Sequence, residues 1–115
     1  MASEGFHEST QDLTTETLDM HRAIVSLKEE LEAIDWYQQR IDATTDDALR
    51  AILTHNRDEE KEHASMVLEW IRRRDPVFDT NLKKYLFTTL PITERSAEPE
   101  PEAHAQPVGG KRWNG

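Results

Sequence analysis

The chain has no cysteine. Disulfides, zinc fingers and thiolate-bound clusters are therefore excluded. Any metal site must use Asp, Glu and His, a donor set suited to iron, manganese or zinc. Basic residues are the minority: 14 Lys and Arg stand against 23 Asp and Glu, giving a net charge of −9. That balance speaks against nucleic acid and anionic membrane surfaces, which want clustered Lys and Arg, and it favours the attraction of cations. No apolar run approaches the roughly 20 residues that cross a bilayer. The start, Met1-Ala2-Ser3-Glu4-Gly5, lacks the basic stretch and apolar run of a secretory signal, so a cytoplasmic origin is expected. Glycine and proline are sparse and unevenly placed: three of four glycines and four of five prolines fall in the last 25 residues.

At 115 residues, one domain is the default. Residues 1–11 are polar and small and are expected to be flexible. Residues 12–90 read as helical. Met20, Ile24, Leu27, Leu31, Ile34 and Ile41 form one stripe of a first helix running from about Asp12 to Ile41. A short connection follows, with Thr44 and Thr45 as candidate N-caps and Asp46 and Asp47 near the positive end of a second helix. That helix is expected to end at about Arg74, with Arg72, Arg73 and Arg74 complementing its negative end. Asp75-Pro76 would cap a short third helix carrying Phe78, Leu82, Tyr85 and Leu86 on one stripe. Residues 91–115, with Glu98-Pro99-Glu100-Pro101-Glu102, read as a disordered, extended linker and tail. The expected fold is all-α: a long antiparallel two-helix hairpin, about 40 Å at 1.5 Å per residue, plus a short third helix. Such a hairpin cannot cover its own apolar faces. Trp36, Tyr37, Trp70 and Ile71 need partners, so an obligate oligomer is expected.

The second helix carries the informative anomaly. Leu49, Ile52 and Leu53, then Met66, Val67, Trp70 and Ile71, recur at helical spacing, but between them the same face carries Asn56, Glu59, Glu60 and His63. Buried carboxylates cost several kcal/mol each unless paired or metal-bound, so something must neutralise them, and a metal ion is the leading candidate. Glu60 and His63 form a Glu-x-x-His motif whose spacing of three puts both side chains on one side. On the first helix Glu30 lies at the edge of the apolar stripe, about 60–70° from its centre, flanked by Ala23, Leu27, Ile34 and Tyr37. A hairpin turning near residues 44–45 brings Glu30 and Glu60 to one level, with His63 a turn away. Ferritin-like di-iron bundles take a Glu from each of two helices and Glu-x-x-His from each of the other two. This chain supplies half of that set, and a two-fold dimer would complete a four-helix bundle. Two copies of Glu30 and Glu60 then balance two Fe²⁺, with neutral His63 completing each shell. Carboxylate bridges would hold such a pair roughly 3.5–4 Å apart.

Two segments carry a resemblance to a known family. Lys28-Glu29-Glu30-Leu31-Glu32-Ala33-Ile34-Asp35-Trp36-Tyr37 and Asn56-Arg57-Asp58-Glu59-Glu60-Lys61-Glu62-His63-Ala64 closely resemble the encapsulated ferritins, and the likeness continues through Leu68-Glu69-Trp70 and Tyr85-Leu86-Phe87. It covers roughly residues 16–93. The resemblance implies a ferroxidase that oxidises Fe²⁺ with oxygen, forms a homodecameric ring of five dimers and sits inside an encapsulin nanocompartment that stores the mineral. By motif position it implies Glu30, Glu60 and His63 as catalytic metal ligands, Glu29, Glu32 and Trp36 as the route by which metal enters, and Tyr37 beside the centre. Other divalent cations fit the same ligands. Family members end in a short peptide that docks on the shell wall. Here Pro107-Val108-Gly109-Gly110-Lys111-Arg112-Trp113 resembles such a peptide only loosely.

Plainer readings stand beside these. Glu59 and Glu62 are expected on a solvated face, and Trp36, Tyr37 and Trp70 as interface packing. His7, His21, His55 and His104 are expected to be incidental. The rival to an enzyme is a non-catalytic helical assembly protein, with a structural metal or a buried Glu60–His63 ion pair at the dimer seam. A haemerythrin-like oxygen carrier would need more histidines on facing helices than this chain offers.

Overall fold

A computed structural model of the chain describes residues 5–97, with side chains described through Glu94. The chain divides into two units, one reaching Ile71 and one beginning at Arg72. Three α-helices carry the fold: α1, Thr15–Ala43; α2, Asp47–Arg74; and α3, Pro76–Tyr85. Short 3-10 turns precede and follow them at Thr10–Asp12 and Ile92–Ala97. The rest of the Pro/Glu-rich tail, from residue 98 on, lies outside the described residues, as does His104. No described helix is long and apolar enough to cross a membrane.

α1 begins three residues later than the periodicity suggests. Ser9 caps the 3-10 turn by accepting from the Gln11 N–H, and Leu13 and Thr14 are extended. The Thr14 hydroxyl then accepts from the Thr17 N–H at 3.0 Å, satisfying one of the free donors of the first turn. Upstream, the Phe6 ring packs on His21 of α1 with centroids 4.3 Å apart. An apolar ring thus anchors part of an otherwise polar segment.

The hairpin connection differs from the expected caps. Thr44 ends α1, donating its N–H to the Arg40 carbonyl, and its hydroxyl accepts from Asp46 at 3.1 Å. Asp46, rather than either threonine, caps α2 through the Leu49 N–H at 2.9 Å. Arg50 finishes the turn. Its guanidinium donates to the Ile41 carbonyl at 3.2 Å and to the Thr44 carbonyl, and pairs with Asp47 at 2.7 Å. The bare carbonyls at the end of α1 are met by a side chain of α2, with Ile41 buried at this end.

α1 and α2 pack antiparallel: Ile41 meets Arg50, Gln38 meets Arg57, and Glu30 lies with Glu60. The core between them is thin. Ile41, Ala64 and Ile71 are the buried apolar residues among those described. Ile71, expected to need an outside partner, is only 1% exposed. The apolar residues of α2 split over two faces. Ala64 and Ile71 are covered by the chain itself, whereas Leu49, Ile52 and Met66 are exposed. On α1, Ile24 and Leu31 are exposed too.

In the second unit, Asp75 caps α3, accepting from Val77 and Phe78 at 2.9 Å each, with Pro76 at the first helical position as expected. Asp79 accepts from Arg72 and pairs with Lys83 at 3.1 Å. Phe78, Tyr85 and Leu86 of the expected stripe are exposed.

Candidate metal centre

Glu30, Glu60 and His63 come together. Each offers one ligand atom, and these atoms lie within 4.8 Å of one another. α1 contributes Glu30 two turns before Tyr37, and α2 contributes Glu60 and His63 one turn apart. His63 Nδ1 stands 3.5 Å from Glu60 Oε1. The Glu60 side chain is 26% exposed and that of His63 46%. His63 is thus more open than a place on a buried face implies. Periodicity puts it on the same side of α2 as Ile52 and Met66, the face the chain leaves uncovered.

Glu30 is the opposite case. Its Oε1 is buried and has no hydrogen-bond partner. Burial pushes its carboxyl above the ordinary value; His63 pulls it back, and Glu60 and Glu29 push it up further. A buried carboxylate oxygen beside another carboxylate is unfavourable unless a proton or a cation joins it. Two carboxylates and an imidazole within reach of one ion are a fitting donor set for Fe²⁺, Mn²⁺ or Zn²⁺. The trio offers three candidate ligand atoms, a number that would leave coordination positions for water, substrate or further ligands.

The remaining candidates lie outside this trio. Glu29 and Trp36 are exposed and Glu32 is half-buried; they follow one another at about one-turn intervals along α1. Tyr37 is half-buried, with the Arg40 guanidinium 5.6 Å from its ring centroid. Glu59 pairs with His55 at 3.1 Å, and Glu62 is exposed. Sequence reasoning missed a network beside the trio. Arg57, one turn before Glu60, donates from Nη1 to Gln38 Oε1 at 2.7 Å, and from Nε and Nη2 to Asp58 Oδ1 at 3.0 and 2.9 Å. Gln38 in turn donates to Asp42 at 2.9 Å. The signal was available: an arginine facing the helical partner, next to acids it does not pair with.

A long helical hairpin with an acid on one arm and Glu-x-x-His on the other carries the donor pattern that ferritin-like bundles use on their helices. The chain belongs to the EncFtn-like family, whose sequence model matches residues 5–89. It is 60% identical over 92 residues to the encapsulated ferritin-like protein of Rhodospirillum rubrum, covering 80% of this chain and 66% of that one. It is 49% identical over 108 residues to a ferritin-like protein of Thermotoga maritima, covering 94% and 93%. With the encapsulin nanocompartment cargo protein EncC of Myxococcus xanthus it shares 42% over 72 residues, 62% of this chain and 55% of that one. The match thus spans just under two thirds of the first of these relatives and just over half of the third. A crystal structure of a Nitrosomonas europaea protein, 67% identical, superposes with a TM-score of 0.75 over 76% of this chain and 97% of that one.

Proposed function

We propose that the chain is a ferroxidase whose Glu30, Glu60 and His63 form half of a di-iron site, completed by a second copy about a two-fold axis. The observation that carries this is the buried, partnerless Glu30 Oε1 within reach of Glu60 and His63. The uncovered face bearing His63, Ile52 and Met66 supports pairing with another chain, since large apolar patches on a soluble helix call for a partner. Fe²⁺ is the substrate. Each Fe²⁺ gives up one electron, and oxygen takes up these electrons together with protons. The residues hold the ions close, leave positions open and keep charge balanced.

Glu29, Glu32 and Trp36 line the way in, their acids drawing cations by field, and Tyr37 stands beside the centre. Larger rings, up to a decamer, would arise from further contacts between dimers. Residues 12–90 form the working domain, and residues 91–115 tether it within an encapsulin shell in a bacterial cytoplasm. The names of the Rhodospirillum and Myxococcus relatives support that setting. Adding Fe²⁺ in air tests the activity: the parent should produce ferric absorbance well above the protein-free rate, and Glu60→Ala should not. Equal rates would refute the assignment.

One observation favours a second reading. Glu60 and His63 already approach each other at 3.5 Å, as a structural pair would. In that reading the chain is an assembly protein whose site holds Zn²⁺ or nothing. Metal-dependent assembly without acceleration of iron oxidation would select it.

A further inference from the structure

Arg57 is the unexpected neighbour of the acidic trio. On α2 it precedes Glu60 by three residues, a spacing that sets two side chains 5–6 Å apart at Cβ. A helical side chain also leans back over the turn before it, so the Glu60 carboxylate inclines toward the Arg57 turn. An arginine there would ordinarily pair with the acid. Its guanidinium is instead engaged elsewhere. Nη1 is taken by Gln38 Oε1 at 2.7 Å, and Nε and Nη2 by Asp58 Oδ1 at 3.0 and 2.9 Å. Gln38 is itself oriented, its amide N–H donating to Asp42 Oδ1 at 2.9 Å, which leaves the amide oxygen for Arg57. The Arg57 side chain is 19% exposed, and its hydrogen bond to Gln38 is partly sheltered from water, whereas Asp58 is open to solvent. Meanwhile Glu30 Oε1, beside Glu60, is left without any donor.

We infer that Gln38 and Asp58 are positioning residues that hold the Arg57 guanidinium away from Glu30 and Glu60, reserving both carboxylates for a divalent cation. The inference rests on the metal-site reading above. A guanidinium presents a planar fork of donors that fits a carboxylate bidentately and carries a permanent charge. Released from Gln38, Arg57 becomes an internal competitor, reaching the acids on the same helix face and neutralising one of them. A competitor that occupies the acids for about nine tenths of the time lowers the apparent metal affinity about tenfold. The cross-helix tie also serves packing, and the two roles make opposite forecasts for a double variant.

The test is Zn²⁺ titration by calorimetry on the full chain at neutral pH, since Zn²⁺ reports binding without redox chemistry. Gln38→Leu should weaken Zn²⁺ binding about tenfold. Gln38→Leu combined with Arg57→Leu should restore the parent affinity, because the competitor is gone. Asp58→Asn, which weakens the other two hydrogen bonds, provides a second release and should move affinity the same way if Gln38→Leu does not fold. Unchanged affinity in both single variants, or a double variant as weak as Gln38→Leu, overturns the inference. A parent chain that binds no Zn²⁺ overturns the metal-site reading itself, a distinguishable result.

Discussion

Glu30 of α1 and Asp79 of α3 are both half-buried helical carboxylates, and their surroundings drive them in opposite directions. Burial pushes each upward. At Asp79 hydrogen bonds from Arg72 and Lys83 outweigh that push and hold the carboxyl below its ordinary value of 3.8. At Glu30 only His63 opposes it, Glu60 and Glu29 add to it, and the carboxyl stays above its ordinary 4.5. The fold neutralises Asp79 with its own cations. It leaves Glu30 with an empty oxygen although Arg57 lies one turn from Glu60. One acid is satisfied within the fold; the other is left with a buried oxygen that no donor meets.

The contrast breaks most visibly in activity. Glu30→Ala should lower iron oxidation by at least about a hundredfold, as losing a direct ligand exceeds the effect of losing a residue behind one. Asp79→Ala should leave the rate unchanged in stopped-flow measurements. In stability the order reverses. Asp79→Ala removes the pairings with Arg72 and Lys83 and should cost about 1–2 kcal/mol in urea unfolding. Glu30→Gln removes a poorly compensated charge and should stabilise the metal-free protein by about 0.5–1 kcal/mol, while Zn²⁺ should no longer raise its melting temperature. Destabilisation of the metal-free form by Glu30→Gln would remove the distinction between the two acids.

Proton linkage sharpens the comparison further. A folded-state value raised above 4.5 means that the stability from Glu30 is present in acid and is lost as pH rises through that raised value. A value lowered below 3.8 means that the stability from Asp79 is present above 3.8 and is lost as pH falls through the lowered value. Metal-free Glu30→Gln should therefore lose part of the parent's gain in stability on acidification, and Asp79→Asn part of its loss at lower pH. In the proposed site Glu30 must be ionised to take metal, so Zn²⁺ affinity should begin to fall with acid above the ordinary carboxylate range. Affinity independent of pH down to that range would contradict the assignment.

The hairpin, the Asp75-Pro76 stop and the Glu30, Glu60, His63 trio were legible because each rests on local spacing or on register, which a short turn transmits along both arms. Other features depend on what local spacing does not encode. Asp46 displaced Thr44 and Thr45 as the cap because Thr44 remained extended at the end of α1, its hydroxyl spent on Asp46. Periodicity placed the apolar residues of α2 together on one face. It did not separate the part that is buried, with Ala64 and Ile71, from the part left open, with Ile52, His63 and Met66. The Gln38–Arg57 tie escaped because it pairs long polar side chains across helices, where reach rather than spacing decides who meets whom.

The central claim is that each chain brings half of a cation cage and that pairing closes it. Native mass spectrometry of the full chain, titrated with Zn²⁺ in the absence of oxygen, tests it most directly. Metal should appear in even-numbered assemblies only, at one ion per chain, and Glu60→Ala should lose both the metal and the metal-dependent growth of those species. A single chain that retains its ion as firmly as the assemblies do would contradict the account.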